Sequence, residues 1–222
     1  EAIKTVRDSS ENVDTSFRFK KKFTVSFSSG VATVATDVVT ETFVGTDTLN
    51  ATQKNDFYMV VVNNAGITKD NLLMRMTEEQ WDDVLRINLK SVYNLTKAAI
   101  KPMMRAKKGS IVNISSVVGV SGNAGQANYA ASKAGVISLS KTLAMEWAPI
   151  RVNTICPGAV DTPMVRAGYT EEVLRTQVGS RYALGRVAEA IEIARAALYL
   201  TSAESSFVTG IAMAVDGGRS YH

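Results

Sequence analysis

Four apolar runs, each ending in polar or glycine-bearing residues, constrain the fold of this chain more than any other feature. They are Tyr58–Val62, Ser110–Ser115, Arg151–Ile155 and Ile211–Val215. Tyr58–Val62 is continuously apolar, the pattern of a strand covered on both faces. The segments between the runs are long enough for helices. Thr77 is followed three residues later by Gln80, a helix-start signature, and apolar positions recur from Val84 to Ala99. This predicts helices over 77–104, 129–147 and 188–200, with a further helical, mixed-charge stretch to Val178 as a mobile cover. Strands alternating with helices predict an α/β fold with a parallel sheet. Ligands in such sheets bind outside the carboxyl ends of the strands. Asn63–Gly66, Ser115–Ser116 and Pro157–Gly158 should therefore line one crevice.

At 222 residues and 45% apolar content the chain suits one domain, 1–222, with a large core. No apolar run approaches the ~18 residues of a membrane span. A single cysteine, Cys156, excludes an internal disulfide and fits a reducing compartment: the cytoplasm, or an organelle lumen if a leader has been removed. One histidine, His222, leaves no basis for a His/Cys metal site. Basic clusters at Arg18–Lys22 and Arg105–Lys108 read as solvated surface or as docking points for an acidic partner, not as a nucleic-acid interface. Residues 1–30 are the least readable. Ser28–Gly30 reads as a turn and Val31–Thr36 as a strand ending at Asp37–Val38.

The chemistry concentrates in Asn123–Lys133, which reads N-A-G-Q-A-N-Y-A-A-S-K. Tyr129 and Lys133 are four residues apart, one face of a helix. An ammonium within a few Å lowers a phenol's pKa by roughly one to three units, making it a general acid for carbonyl reduction. Ser116, thirteen residues before Tyr129, closes a strand-like run and is preferred over its neighbour Ser115 as the third member.

These motifs resemble the short-chain dehydrogenase/reductase family. Asn63–Asn64–Ala65–Gly66 matches its N-N-A-G motif and Tyr129–Lys133 its Y-x-x-x-K, with Asn88, Ser116 and Pro157–Gly158 in order. The resemblance covers roughly residues 31–218 and is greatest to 3-oxoacyl-[acyl-carrier-protein] reductases. It implies a Rossmann-like, doubly wound parallel sheet. It also implies that Tyr129 protonates the substrate oxygen, Ser116 hydrogen-bonds it, and Lys133 lowers the tyrosine pKa and holds the nicotinamide ribose. Asn88 would support a water linking Lys133 to solvent. Asp37 and Val38 would contact the adenine; Asn63, Ala65 and Gly66 the adenosine side and ribose; Pro157, Gly158, Val160 and Thr162 the carboxamide. The cofactor implied is NADP(H) ahead of NAD(H). The implied partners are a carrier-bound acyl substrate, an acidic acyl carrier protein near Lys107–Lys108, and further copies in a homotetramer.

Two departures stand out. The family's glycine-rich phosphate turn is missing or unrecognisable, since only Gly30 and Gly45 precede residue 60. Counting back from Asp37, a relative would carry roughly two dozen more residues, about one strand–loop–helix unit. The Ala148–Arg151 turn is also about two residues short of such a relative. The expectation is that sequence is missing rather than that the chain is cofactor-free. The rival expectations are a reductase for another alcohol or ketone, such as a sugar or steroid, and a catalytically silent partner subunit.

Overall fold

The computed structural model describes residues 22–28, 31–37 and 59–220. Its first elements, β1 (Lys22–Ser28) and β2 (Val31–Asp37), pair antiparallel with Ser28 opposite Val31. The strand expected at Val31–Thr36 is present, but in a hairpin and not in the parallel sheet. Only two residues separate the partners. Such a link suits an antiparallel pair, whereas a parallel pair needs a crossover of a dozen residues or more. The readings at residues 1–21 and 38–58 lie outside the described residues.

The main sheet is parallel, in the order β3 (Met59–Asn63), β4 (Gly109–Ile114), β5 (Arg151–Pro157), β6 (Ala212–Val215). Between β3 and β4 run α1 (Glu78–Leu85), a π-helical turn at Arg86–Lys90, and α2 (Ser91–Ala106). Thr77 and Gln80 form the expected capping box, each bonding the other's backbone N–H. The single helix expected over 77–104 is thus interrupted at Asn88, for a reason given below. Helix α3 (Ala127–Glu146) joins β4 to β5, and α4 (Ala190–Thr201) precedes β6. No helix among the described residues is long and apolar enough to cross a membrane.

Side chains alternate across the sheet with period two, and so feed two cores. On one face Met59, Ile111 and Val152 pack with Ala99 and Met103 of α2 and with Leu143 and Ala144 of α3. On the other, Val112 and Ile155 pack with Leu200 and Ile193 of α4. That second layer stops at β4. Val62, the register partner of Val112, is 45% exposed, so the expected two-sided burial of Tyr58–Val62 is not met among the described residues. The continuous apolar run correctly marks a strand but cannot say which neighbours cover it.

The two ends of α4 are fixed differently. Glu192 bonds the backbone N–H of Glu189 at the start. At the other end the Arg151 guanidinium donates to the carbonyls of Leu200 (2.8 Å) and Ser202 (2.9 Å) and to Ser205 Oγ (2.8 Å). A cation satisfying helix-terminal carbonyls also opposes the negative end of the helix dipole. Arg151→Met should keep the buried stem and lose these bonds. The expected cost is about 3 kcal/mol, read as a lower urea midpoint with an unchanged slope.

Candidate active site

The carboxyl ends of β3, β4 and β5 open toward the start of α3. Immediately after β4 the two adjacent serines diverge. Ser115 turns toward α3, donating to the carbonyl of Lys133 at 2.8 Å. Ser116 accepts from Val118 N at 3.1 Å, and its hydroxyl lies close enough to the Tyr129 phenol to draw the phenol's pKa down. Lys133 Nζ donates to the Ile114 carbonyl at 2.9 Å and stands 5.6 Å from the centre of the Tyr129 ring. Gly119 allows this approach, because a Cβ there would lie 2.8 Å from backbone carbon of Lys133. Ser116, Tyr129 and Lys133 are therefore brought together by a strand end, a helix and one close backbone crossing.

Asn88 explains the interrupted helix. Its amide accepts from Ile67 N (2.8 Å) and donates to Ile67 O (3.0 Å) and Ser132 Oγ (3.1 Å). A side chain that is fully buried must make such bonds, and the widened π-helical turn carries it inward to make them. Asn88 thus ties the loop after β3 to the helix of Tyr129. Gly66 lies between them, where a Cβ would come within 3.4 Å of both Asn88 Oδ1 and Lys133 Nζ.

The other expected residues are placed less uniformly. Asn63 sends its amide sideways into the protein, to Thr96 Oγ1 (3.1 Å) and Asn113 Oδ1 (2.6 Å). Both donors of its side-chain amide are thereby used within the protein. Ala65 follows in the loop leading to Gly66. Pro157 ends β5, its carbonyl accepting from Val117 N, while Gly158 N donates to Val215 O. Val160 bridges Ala188, and Thr162 Oγ1 bonds the Val160 carbonyl. Asp37 sits in the hairpin opposite Lys22, outside the parallel sheet, and Val38 lies outside the described residues.

Residues that sequence reasoning passed over hold these pieces in place. Asn113 also donates to Ser140 Oγ of α3, at 2.8 Å. Asn128, beside Tyr129, has no exposed surface and three hydrogen bonds. The available signal was a polar residue inside an apolar run, as in I-V-N-I, or an amide flanking the chemistry.

Burial governs the electrostatics. Desolvation raises the Tyr129 phenol above its ordinary value, the Ser116 hydrogen bond draws it back, and the Asp70 carboxylate adds to the rise. The expected lowering by Lys133 is not what this arrangement produces. Lys133 points its charge at the Ile114 carbonyl, and burial lowers its own pKa to about 8. Burial likewise pushes the Cys156 thiol up, opposed by its hydrogen bond with Ser115. The site holds a protonated phenol firmly and an ammonium loosely.

A family model described as enoyl-(acyl carrier protein) reductase matches residues 14–220. The chain belongs to the short-chain dehydrogenase/reductase family. Among named short-chain reductases, it is 52% identical over 161 residues to the 3-oxoacyl-[acyl-carrier-protein] reductases FabG of Chlamydia muridarum and Thermotoga maritima. It is 48% identical over 161 residues to that of Escherichia coli. Each match takes in 72% of this chain and 64% or 65% of the relative, just under two thirds of its length.

The buried ammonium should cost stability. A fall from 10.5 to about 8 corresponds to roughly 3 kcal/mol against the charged form, part of it offset by the Ile114 bond. The unfolded chain holds the extra proton between those two values, so the wild type gains stability as pH rises from about 8 to 10.5. Lys133→Met should therefore melt roughly 2–4 °C above wild type at pH 7. That advantage should vanish by about pH 10 in a thermal melt series.

Proposed function

We propose that this chain is an NADP(H)-dependent reductase of 3-oxoacyl groups carried on an acyl carrier protein, acting in fatty-acid synthesis. The observation that carries the reading is the Tyr129 phenol beside the Ser116 hydroxyl, four residues from a buried Lys133, at the strand ends. Two hydroxyls converging on one point suit a substrate oxygen. That favours carbonyl reduction over reduction of a carbon–carbon double bond, where the proton must reach carbon. The relatives, 3-oxoacyl-[acyl-carrier-protein] reductases by name, support the same substrate class.

The donor set fits the nicotinamide–ribose half of such a cofactor. Lys133 and Tyr129 would hold the ribose hydroxyls, with Gly66 keeping the adjacent lane clear of a side chain. Backbone of Asn63, Ala65 and Gly66 would line the adenosine side, and Pro157, Gly158, Val160 and Thr162 the carboxamide. When bound, the nicotinamide supplies the hydride. Ser116 then holds the substrate oxygen, Tyr129 gives it a proton, and Lys133 stabilises the phenolate left behind. Asn88 keeps the loop and Lys133 in register, with a water beyond Lys133 completing proton resupply. A positioned acid of this kind contributes about 10²–10⁴ in rate.

Charge supports an acidic carrier as the partner. No Asp or Glu occurs between Asp83 and Glu146, while Lys107 and Lys108 lie exposed at the end of α2. We further propose a homotetramer. An apolar groove between α1–α2 and α3, lined by Leu85, Leu89, Tyr93 and Leu139, offers a face for a second copy. The compartment proposed is the cytoplasm, or an organelle lumen.

With NADPH, the purified protein should reduce an acetoacetyl thioester and leave sugars untouched. Tyr129→Phe should remove turnover by about 10²-fold or more while the cofactor still binds. Lys107→Glu with Lys108→Glu should raise KM for the carrier-borne substrate and not for a small thioester. If titration with NADPH and NADH gives no micromolar binding, the silent-subunit reading replaces this one. Turnover of sugars or steroids in place of the thioester would move the assignment within the family.

A further inference from the structure

The geometry points to Asn128 as a positioning residue for Tyr129, one that clamps the loop after β3 and the first turn of α1 to the start of α3. It rests on Tyr129 as proton donor but concerns how the phenol is held.

The start of α3 lacks an ordinary cap. Gln126, at the capping position, makes no side-chain bond to the helix, so the first-turn N–H groups need other partners. Asn128 Oδ1 takes the N–H of Tyr129 at 2.8 Å. Its Nδ2 donates to Lys69 O and Gln80 O, both at 3.0 Å. Both donors of the amide are thus used, each on a different element, with no surface left to water.

The Tyr129 carbonyl is held as well. Ser132 Oγ donates to it at 2.7 Å, and Ser132 in turn accepts from Asn88. The backbone of Tyr129 is therefore pinned at its N–H by Asn128 and at its carbonyl through Ser132. Both pins lead back to the loop at Ile67–Lys69, which Asn88 and Asn128 grip from two sides. Exposed stitches extend the seam outward: Asn71 N to Gly125 O (2.8 Å) and Gln126 Nε2 to Asp70 Oδ2 (2.7 Å). Asn128 is the buried bond on which that seam closes. A shift of the loop would move the phenol with it.

Two variants of the full chain test this. Asn128→Ala removes all three bonds. Asn128→Asp keeps the volume and the acceptor for Tyr129 N–H but loses both donors, and is read alone if the alanine variant does not melt cooperatively. The groups facing the phenol are Ser116 after β4, Asp70 from the loop after β3 and Lys133 from its own helix, with the Cys156 thiol of β5 near Lys133. Tyr129 is followed by ¹³C-labelled tyrosine NMR, its signal assigned by loss in Tyr129→Phe.

In Asn128→Ala the phenol should titrate at lower pH than in wild type, because an opened seam admits water and relieves the burial that raises it. In Asn128→Asp the Asn71 amide should exchange about tenfold faster or more. With turnover, kcat should fall about tenfold with KM little changed. A folded variant with wild-type tyrosine titration and wild-type Asn71 exchange overturns the proposal. Neither readout needs turnover, so an inactive wild type would sink the functional reading and leave this one standing.

Discussion

The depth at which α3 lies against β4 is the constraint on which the site depends. Three hydrogen bonds set it at successive heights. Asn113 reaches Ser140, Ser115 reaches the Lys133 carbonyl, and Lys133 reaches back to the Ile114 carbonyl. Apolar packing of Leu143 and Ala144 against Ile111 and Val152 supplies attraction without register, since hydrophobic contact is non-directional. The polar bonds supply the register. Without them the helix would be attached to the sheet yet free to slide along its axis, carrying Tyr129 past Ser116.

The same arrangement explains why so many asparagines are buried. Asn63, Asn88, Asn113, Asn128 and Asn153 are each under one tenth exposed. An amide offers two donors and an acceptor in a rigid plane, so one side chain can join two or three backbone segments. Asn63 and Asn113 are direct register partners, and their bond runs along the sheet just below the crevice. Asn153 does similar service at the far edge, bonding Val208 O and Ile211 N before β6. Each interaction costs desolvation, and incomplete networks are costly, so the network is valuable for specifying one geometry more than for net stability.

Much of this was legible in the chain. The four apolar runs and the capping pair Thr77–Gln80 mark elements because local pattern and burial agree there. Y-x-x-x-K marks a helix face for the same reason. What was not legible depends on distant partners. The π-helical turn at Asn88 exists because Ile67 and Ser132 need that amide, which no local propensity reports. The antiparallel pairing of Val31–Asp37 follows from its neighbour, and the exposed side of Val62 from what does not cover it. The sign of the Tyr129 shift is not legible either, because spacing shows that Lys133 is near but not that burial outweighs it or that Lys133 donates to the Ile114 carbonyl.

The raised phenol and the lowered ammonium bear on the chemistry together. In the proposed reaction a general acid at neutral pH must hold its proton until the substrate oxygen becomes basic, and a buried phenol beside Ser116 would do so. It must then release the proton, which requires a positive charge nearby at the moment of transfer. Lys133, with a pKa near 8, is still mostly protonated at neutral pH but is poorly solvated. An ammonium in that condition gains more from a developing phenolate than one already paired with a carboxylate, because its charge has been paid for in burial and is not neutralised. The carboxylate that acts on the phenol is Asp70, and it is engaged by Gln126 at the rim. The sheet ends therefore contain a donor kept neutral and a cation kept free of counter-charge, separated by one helical turn. The stability given up by burying Lys133 is what would leave its field available to the proposed reaction.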